Sequence, residues 1–304
     1  MINLNINNET DLLKSVLLGI ANSNGPIPAL EDCYDPNSLM HIKAGSYPKE
    51  DDMINEMREL ESVFESYNVK VYRPKLISNY NQIFARDIAF VIDDILIKSN
   101  ILPDREREFG AISDIIRLIN PEKIIELPGN CHIEGGDVIL YDNYIFIGYY
   151  GGLDYPNLIT ARTNINAVEA IKELFPKKII KSFELKKSNT NPYENALHLD
   201  CCFQPIGKGK ALIHKEGFLN CSELRFIENL FRKDNLFYTT KKEMASMNCN
   251  VLSISEQVVV SERSFTRLNQ WLRLQGFIVE EVGYSEISKQ GGLFRCSTMP
   301  LIRA

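Results

Sequence analysis

The sequence predicts an α/β fold of one kind, a five-bladed propeller of hairpin–helix–strand units with pseudo-fivefold symmetry. Three observations point to it. The same order of elements recurs at about 50-residue intervals, the spacing at which propellers and arrays repeat. Four such units are complete within the chain, and a fifth can be assembled from both ends. A unit of this size cannot bury its own apolar face, so the units must pack on one another. An ordinary α/β sheet is the plainer architecture compatible with the same alternation.

The terminal unit takes "SVLLGIA" (15–21), the helix "EDDMINEMRELESVFESY" (50–67) and the strand "VKVYRP" (69–74), with "LFRCSTMPLI" (293–302) as the partner of the first run. In the next unit "DIAFVIDDILIKS" (87–99) reads as two β runs meeting at Asp93–Asp94. "REREFGAISDIIRLI" (105–119) then places Phe109, Ile112, Ile115, Ile116 and Ile119 at helical spacing, and "KIIEL" is extended. The following unit has "DVILYDNYIFIGY", turning at Asp142–Asn143, the helix "RTNINAVEAIKELF" and the strand "KKIIKSFEL". Another has "HLDCCFQPIGKGKALIH", turning at Gly207–Lys208–Gly209, then "SELRFIENLFR" and "NLFYTT". The last has "NVLSISEQVVVSE", "SFTRLNQWLRLQ" and "FIVEEV". With the termini closing the ring, residues 1–304 read as a single catalytic domain.

Composition narrows the function. The 304 residues are 44% hydrophobic and 24% charged, an ordinary globular balance. A net charge of −6 argues against nucleic acid or an anionic membrane as partner. No apolar run approaches the roughly 18 residues of a membrane span, and the first residues lack a signal peptide's basic and apolar regions. Seven cysteines, scattered and without a C-x-x-C pair, indicate neither a disulfide framework nor a thiolate zinc site. A cytoplasmic protein with free thiols is expected. The sequence permits a homo-oligomer without specifying one.

The repeat also sorts the polar residues. Asp87 opens the first complete hairpin, Glu134 and Asp137 the second, His198 and Asp200 the third, and Asn248 and Asn250 the fourth. Cys296 falls on the corresponding strand of the terminal unit, behind Gly291 and Gly292. If equivalent positions face the pseudo-symmetry axis, these groups converge on one pocket, and the paired glycines let the last strand approach it closely. Each residue has a plainer reading as well. A lone cysteine can be a small core residue, His198 a satisfied core histidine, and Asp87 a strand-end ion pair with Arg86. His132, Glu134, His198 and Asp200 might suggest a metal site, but that would leave Cys296 unused, and no metal is expected.

A thiol, a histidine and several carboxylates without a basic clamp suit a cationic substrate. A planar guanidinium presents paired donors that carboxylates bind bidentately. Carboxylate neighbours should keep the thiol protonated, and a bound guanidinium would reverse this. His198 could then protonate the departing nitrogen and activate the next nucleophile. Such chemistry requires no cofactor.

The motifs "FARD", "EGGD", "HLD" and "GGLFRCSTMPL", in this order, resemble those of the guanidino-group-modifying superfamily. It comprises arginine deiminases, dimethylarginine dimethylaminohydrolases and amidinotransferases on a five-bladed α/β propeller. "YIFIGYYGGLDYPNLITARTN" (144–164) is similar to its glycine-to-Arg-Thr stretch, and the resemblance runs from about residue 16 to the C-terminus. It implies that Cys296 is the nucleophile, that His198 is the general acid and base, and that Glu134 supports the guanidinium and its proton traffic. Asp87 and Asp200 would bind guanidinium nitrogens, and Arg162 would grip a substrate carboxylate. Phe84 and Asn81 would line the pocket, and Asp137 would be a supporting or turn residue. Arg295 could tune the thiol or point away. "EGGD" and "HLD" favour a hydrolase of the deiminase type on arginine or an arginine-like substrate. "SVLLGIANSNGPIP" with "HIKAGSYPKE" resembles amidinotransferases and keeps transfer to an amine acceptor as the alternative. A non-catalytic guanidinium-binding propeller is the third reading.

Overall fold

The computed structural model describes residues 1–155 and 157–304; Pro156, inside the glycine-to-Arg-Thr stretch, lies outside them. The chain begins with strand β1 (Leu13–Leu18), followed by helices α1 (Pro36–Lys43) and α2 (Glu50–Ser66) and strand β2 (Lys70–Tyr72). Four consecutive blades come next. The first holds β3 (Ala89–Ile92), β4 (Ile95–Lys98), the short helices α3 (Arg107–Ala111) and α4 (Ser113–Ile116), and β5 (Ile124–Glu126). The second holds β6 (Val138–Tyr141), β7 (Tyr144–Tyr149), α5 (Ile165–Leu174) and β8 (Ile179–Glu184). The third holds β9 (Phe203–Ile206), β10 (Lys210–Ile213), α6 (Cys221–Phe231) and β11 (Leu236–Tyr238). After α7 (Lys241–Ala245), the fourth holds β12 (Leu252–Ser253), β13 (Val258–Glu262), α8 (Thr266–Leu274) and β14 (Ile278–Val282). Helix α9 (Ser285–Ser288) leads to β15 (Thr298–Arg303), which pairs antiparallel with β1 and completes the fifth blade.

The strands form five separate three-stranded sheets with one topology, an antiparallel hairpin whose second strand takes the third strand in parallel. The fold is the five-bladed α/β propeller the repeat predicts. The tight turns sit where the sequence placed them. Asp93 and Asp142 occupy left-handed positions (φ 53° and 49°), which a short polar side chain tolerates better than most.

Two local expectations are corrected. The helix read through 105–119 is broken at Ile112 into α3 and α4. Gly110 weakens its interior, and Arg105 is drawn out of the helical register into a 3-10 turn by buried carboxylates. Helix α1 was not foreseen. Asp35 caps it by accepting the Ser38 N–H at 2.8 Å, and Pro36 occupies the first position, where its missing N–H costs nothing.

The cores lie between neighbouring blades. Phe146 on β7 meets Phe183 on β8 at 5.6 Å between ring centroids and Phe203 on β9, in the next blade, at 5.7 Å. Strand β13 is buried along its whole length, as expected of a sheet covered on both faces. Residues 2–6 stitch the seam between the fifth and first blades. Asn5 N–H donates to the Leu301 carbonyl (3.1 Å), and Ile6 exchanges both backbone hydrogen bonds with Asp93 (2.8 and 2.7 Å). Ile2, Leu4 and Ile6 are buried beneath that seam.

Candidate active site

The five hairpins are each entered through a single turn, at 85–88, Gly135–Asp137, Leu199–Cys201, 246–249 and 294–297. These turns carry or flank the polar residues singled out above. Cys296 therefore stands in a turn before β15, not on the strand itself. The two hydroxyls after it explain why. Ser297 Oγ donates to the Leu293 carbonyl and Thr298 Oγ1 to the Phe294 carbonyl, each at 2.8 Å, which keeps the chain coiled until Thr298. Ahead of the thiol, Gly291 adopts φ +79°, and a Cβ on Gly292 would stand 2.3 Å from the Phe84 ring. Only glycine admits this close approach.

Cys296 is 2% exposed. Its Sγ lies 3.7 and 3.9 Å from the carboxylate oxygens of Asp200 and accepts the Asn250 Nδ2–H at 3.1 Å. Asn250 Oδ1 accepts the backbone N–H groups of Leu293 and Cys296, both at 3.1 Å, so one side chain holds the thiol and its turn together. Burial, then the Asp200 and Asp87 carboxylates, push the thiol well above its ordinary pKa. In the free enzyme it is protonated.

His198 is embedded in carboxylates. Its Nε2 lies 2.7 Å from Glu134 Oε2, and its Nδ1 faces Asp87 Oδ1 at 3.8 Å. Burial opposes protonation, but Asp87 and the Glu134 hydrogen bond outweigh it and carry the pKa to about 9. Glu134 is held well below the usual carboxylate range; burial works against this, and the charges of Arg162, His198 and Arg105 overcome it. The pair is an imidazolium–carboxylate ion pair at neutral pH. Asp137 accepts the Leu199 N–H at 2.9 Å and so fixes the turn between His198 and Asp200.

The expected guanidinium ligands are present but already partly engaged. Asp87 Oδ2 accepts from Arg105 at 2.8 Å, while Oδ1 has no hydrogen-bond partner among the described residues. Arg86 does not form the ion pair the sequence left open; its Nε donates to the Arg295 carbonyl at 3.3 Å. Asp200 Oδ2 accepts from Arg295 at 2.8 Å and is also the oxygen nearer the Cys296 thiol, while Oδ1 lies 3.9 Å from that thiol and 3.7 Å from the Cys201 thiol. Arg162 donates to both Glu134 oxygens (3.3 and 3.1 Å), to the Ile159 carbonyl (2.6 Å) and to the Tyr34 carbonyl (2.5 Å). These four bonds use four of its five N–H groups and leave one on Nη2. Asn81 Nδ2 donates to Gln290 Oε1 at 2.6 Å, and Phe84 packs on Gly292, so both flank the approach to the thiol.

Three residues on this network carried no site role in the sequence. Arg105 lay in a helical pattern, Glu9, which accepts from Arg295 at 2.9 Å, lay outside every repeat, and Asn250 had a place in the repeat but no chemistry assigned. Of these, Asn250 alone had a legible signal, its position at the head of the fourth hairpin.

Asp87, Glu134 and His198 offer ligand atoms within 4.8 Å of one another, as do His198, Asp200 and Cys201. The carboxylates of Asp87, Glu134 and Asp200 each face a buried guanidinium at 2.8 to 3.1 Å. A metal ion would add charge beside fixed cations, which this donor set does not favour. The segment leading into α1 packs beside the site, its Tyr34 carbonyl accepting from Arg162, and the cavities beside Asp35 hold only about 10 and 20 Å³. The roomier clefts, about 590 and 540 Å³, are lined by other residues and do not reach Cys296. No helix among the described residues is long and apolar enough to cross a membrane.

Comparisons with known proteins bear on the family and the fold. The chain is 33% identical over 225 residues to the uncharacterized protein YkgA of Bacillus subtilis (strain 168), a match covering 73% of this chain and 70% of that one. It is 28% identical over 266 residues to an arginine deiminase of Listeria welshimeri, covering 73% of this chain and 62% of the deiminase. Its fold superposes on an amidinotransferase of the saxitoxin biosynthetic pathway from Microseira wollei with a TM-score of 0.78, at 19% identity, over 99% of this chain and 97% of that one. The family model described as N,N dimethylarginine dimethylhydrolase, eukaryotic, matches residues 43–303. The chain belongs to that family, within the guanidino-group-modifying superfamily.

Proposed function

We propose that the protein, as a single catalytic domain over residues 1–304, hydrolyses a C–N bond of arginine or an arginine-like substrate through a covalent amidino-type intermediate on Cys296. The observation that carries this reading is the protonated Cys296 thiol beside Asp200, across from an imidazolium at His198. The unpartnered oxygen of Asp87 and Oδ1 of Asp200, which Arg295 does not hold, offer the substrate guanidinium two acceptors. Arrival of that cation offsets the carboxylates and lets the thiol ionise, with Asp200 its nearest carboxylate acceptor.

The thiolate attacks the guanidinium carbon. His198, already charged, transfers its proton to the departing nitrogen, which leaves as a neutral amine or ammonia. The now neutral His198 takes a proton from water, whose oxygen attacks the same carbon and expels the thiolate. Glu134 holds the imidazole oriented in both steps. Arg162 would bind the substrate carboxylate with the N–H left on Nη2, and Phe84 and Asn81 would line the entry.

The family description favours hydrolysis and an N-methylated arginine. The second reading is amidino transfer, favoured by the likeness of "SVLLGIANSNGPIP" and "HIKAGSYPKE" to amidinotransferases. Incubation with arginine and with N,N-dimethylarginine, followed by analysis of all products, separates the two. Hydrolysis yields ammonia or dimethylamine together with citrulline and needs no acceptor. Ornithine release sustained only by an added amine would establish transfer instead.

A further inference from the structure

The residue before the nucleophile points away from the thiol and into a buried charge network that reaches the N-terminal segment. Arg295 is fully buried. Its Nη1 donates to Asp200 Oδ2 at 2.8 Å. Its Nε and Nη2 form a two-pronged pair with Glu9, at 3.2 and 2.9 Å, and Nη2 also donates to the Val138 carbonyl at 2.6 Å. Glu9 is 5% exposed and lies outside residues 43–303, the part matched by the family. The backbone seam formed by residues 2–6 delivers it there.

We infer that Glu9 is a positioning residue that sets how much negative charge Asp200 presents to Cys296 and to the substrate cation, acting through Arg295. The inference rests on the reading of Cys296 as the nucleophile. Arg295 sits between two carboxylates, and the network holds three guanidinia, Arg86, Arg295 and Arg303, against two acids, Glu9 and Asp200. With Glu9 present, Arg295 is shared and Asp200 keeps charge to offer. With Glu9 neutral, Arg295 is left to Asp200 alone, and three cations face one anion. Charges at such separations act strongly in a buried, poorly screened interior.

The charged and titratable groups facing each centre are few. Around the thiol stand Asp200, Asp87, Cys201, Tyr284 and Arg295. Around Glu9 stand Arg295, Arg86 and Arg303, and Asp11 faces Arg303. Among these the one short link between Glu9 and the thiol runs through Arg295 and Asp200.

The test uses the full chain and reads alkylation of Cys296 by iodoacetamide against pH, by peptide mass. Glu9→Gln should move the alkylation midpoint down by about one pH unit, a tenfold gain in thiolate at a given pH. It should also raise KM for arginine about tenfold with a smaller change in kcat. The double variant Glu9→Gln with Arg295→Met removes both charges, leaves Asp200 unshielded and should move the midpoint up. Opposite shifts cannot arise from loosening of the site. Midpoints unchanged in both variants, or displaced in one direction, overturn the inference. If Glu9→Gln does not fold, an unchanged or lowered midpoint in the folded double variant overturns it by itself. Alkylation requires no turnover, so full activity in Cys296→Ser would defeat the nucleophile reading without touching this measurement.

Discussion

On one wall of the site, where Glu134 at the head of the second blade meets His198 at the head of the third, the proposed acid–base pair stands already charged. Glu134 is bound to Arg162 and His198, and the imidazole carries its proton up to about pH 9. On the opposite wall, from the third, fourth and fifth blades, the reactive group is uncharged. Cys296 is a thiol beside Asp200, with the neutral amide of Asn250 as its nearest donor. The two walls are equally buried, so burial alone does not separate them; the sign of the neighbouring charge does. Carboxylates raise a histidine's pKa and a cysteine's pKa alike, which leaves a charged imidazolium on one wall and a neutral thiol on the other, in the proposed mechanism a ready acid and a dormant nucleophile. A substrate cation is what would wake the second without discharging the first.

Removing the dormant group should have the largest effect. Cys296→Ser is expected to lower turnover by about 10⁴-fold or more, the scale of losing a nucleophile, with circular dichroism unchanged. A substrate-like haloamidine should add its mass at Cys296 in the parent chain and nowhere in the variant. Labelling spread over the other six cysteines would break the comparison at its root.

Breaking the charged wall comes next. His198→Ala should cost about 10² to 10⁴ in rate, the range of a lost general acid–base. Adduct breakdown should suffer most, so intact-mass spectrometry after a short substrate pulse should show a persistent adduct. If the Asp87 or Asp200 variants accumulate the adduct and His198→Ala does not, the two walls have been assigned the wrong way round.

The pH dependence sharpens the contrast further. Folding raises the His198 pKa from about 6.5 in an unfolded chain to about 9. The stability this gives, a few kcal/mol, is complete below about pH 6.5 and is lost as pH rises through 9. Thermal melts of the parent chain should fall across that window, and those of His198→Gln should be flatter. Where His198 must act as base, breakdown of the isolated adduct should speed up over the same range.

Asp200→Asn should raise KM for arginine by about tenfold to a hundredfold, the worth of one charge-assisted hydrogen bond, and lower the alkylation midpoint of Cys296. An unchanged midpoint would mean that burial alone suppresses the thiol. The smallest effect is steric. Gly292→Ala places a methyl group 2.3 Å from Phe84 and 3.0 Å from Cys296 Cβ. It should cost about 1 to 3 kcal/mol in stability, as overpacking does, read as a lower melting temperature.

Much of this was legible in the sequence, for reasons tied to particular residues. The five units could be read because strand and helix periods alternate, and because Asp93 and Asp142 punctuate the hairpins at positions that demand a left-handed residue. Cys296, His198, Glu134, Asp87 and Asp200 could be assembled because the repeat puts equivalent positions at equivalent places. It missed where the repeat is not obeyed. The coil that lifts Cys296 off its strand depends on Ser297 and Thr298 bonding backward over four residues, a contact with no periodic signature. The 3-10 turn at Arg105 depends on Asp87, which lies far enough away in the chain that no local window contains it.

The sequence by itself determined the blade count, the hairpin–helix–strand order within a blade and the polar side chains at the heads of the hairpins, because those follow from local periods repeated along the chain. Only the tertiary structure decided how the charges pair. Arg162 lies on Glu134, Arg105 on Asp87, and Arg295 between Glu9 and Asp200, across sequence separations of 28, 18, 286 and 95 residues. Ion pairing depends on distance in space and on the exclusion of water, and neither is written in the local order of residues.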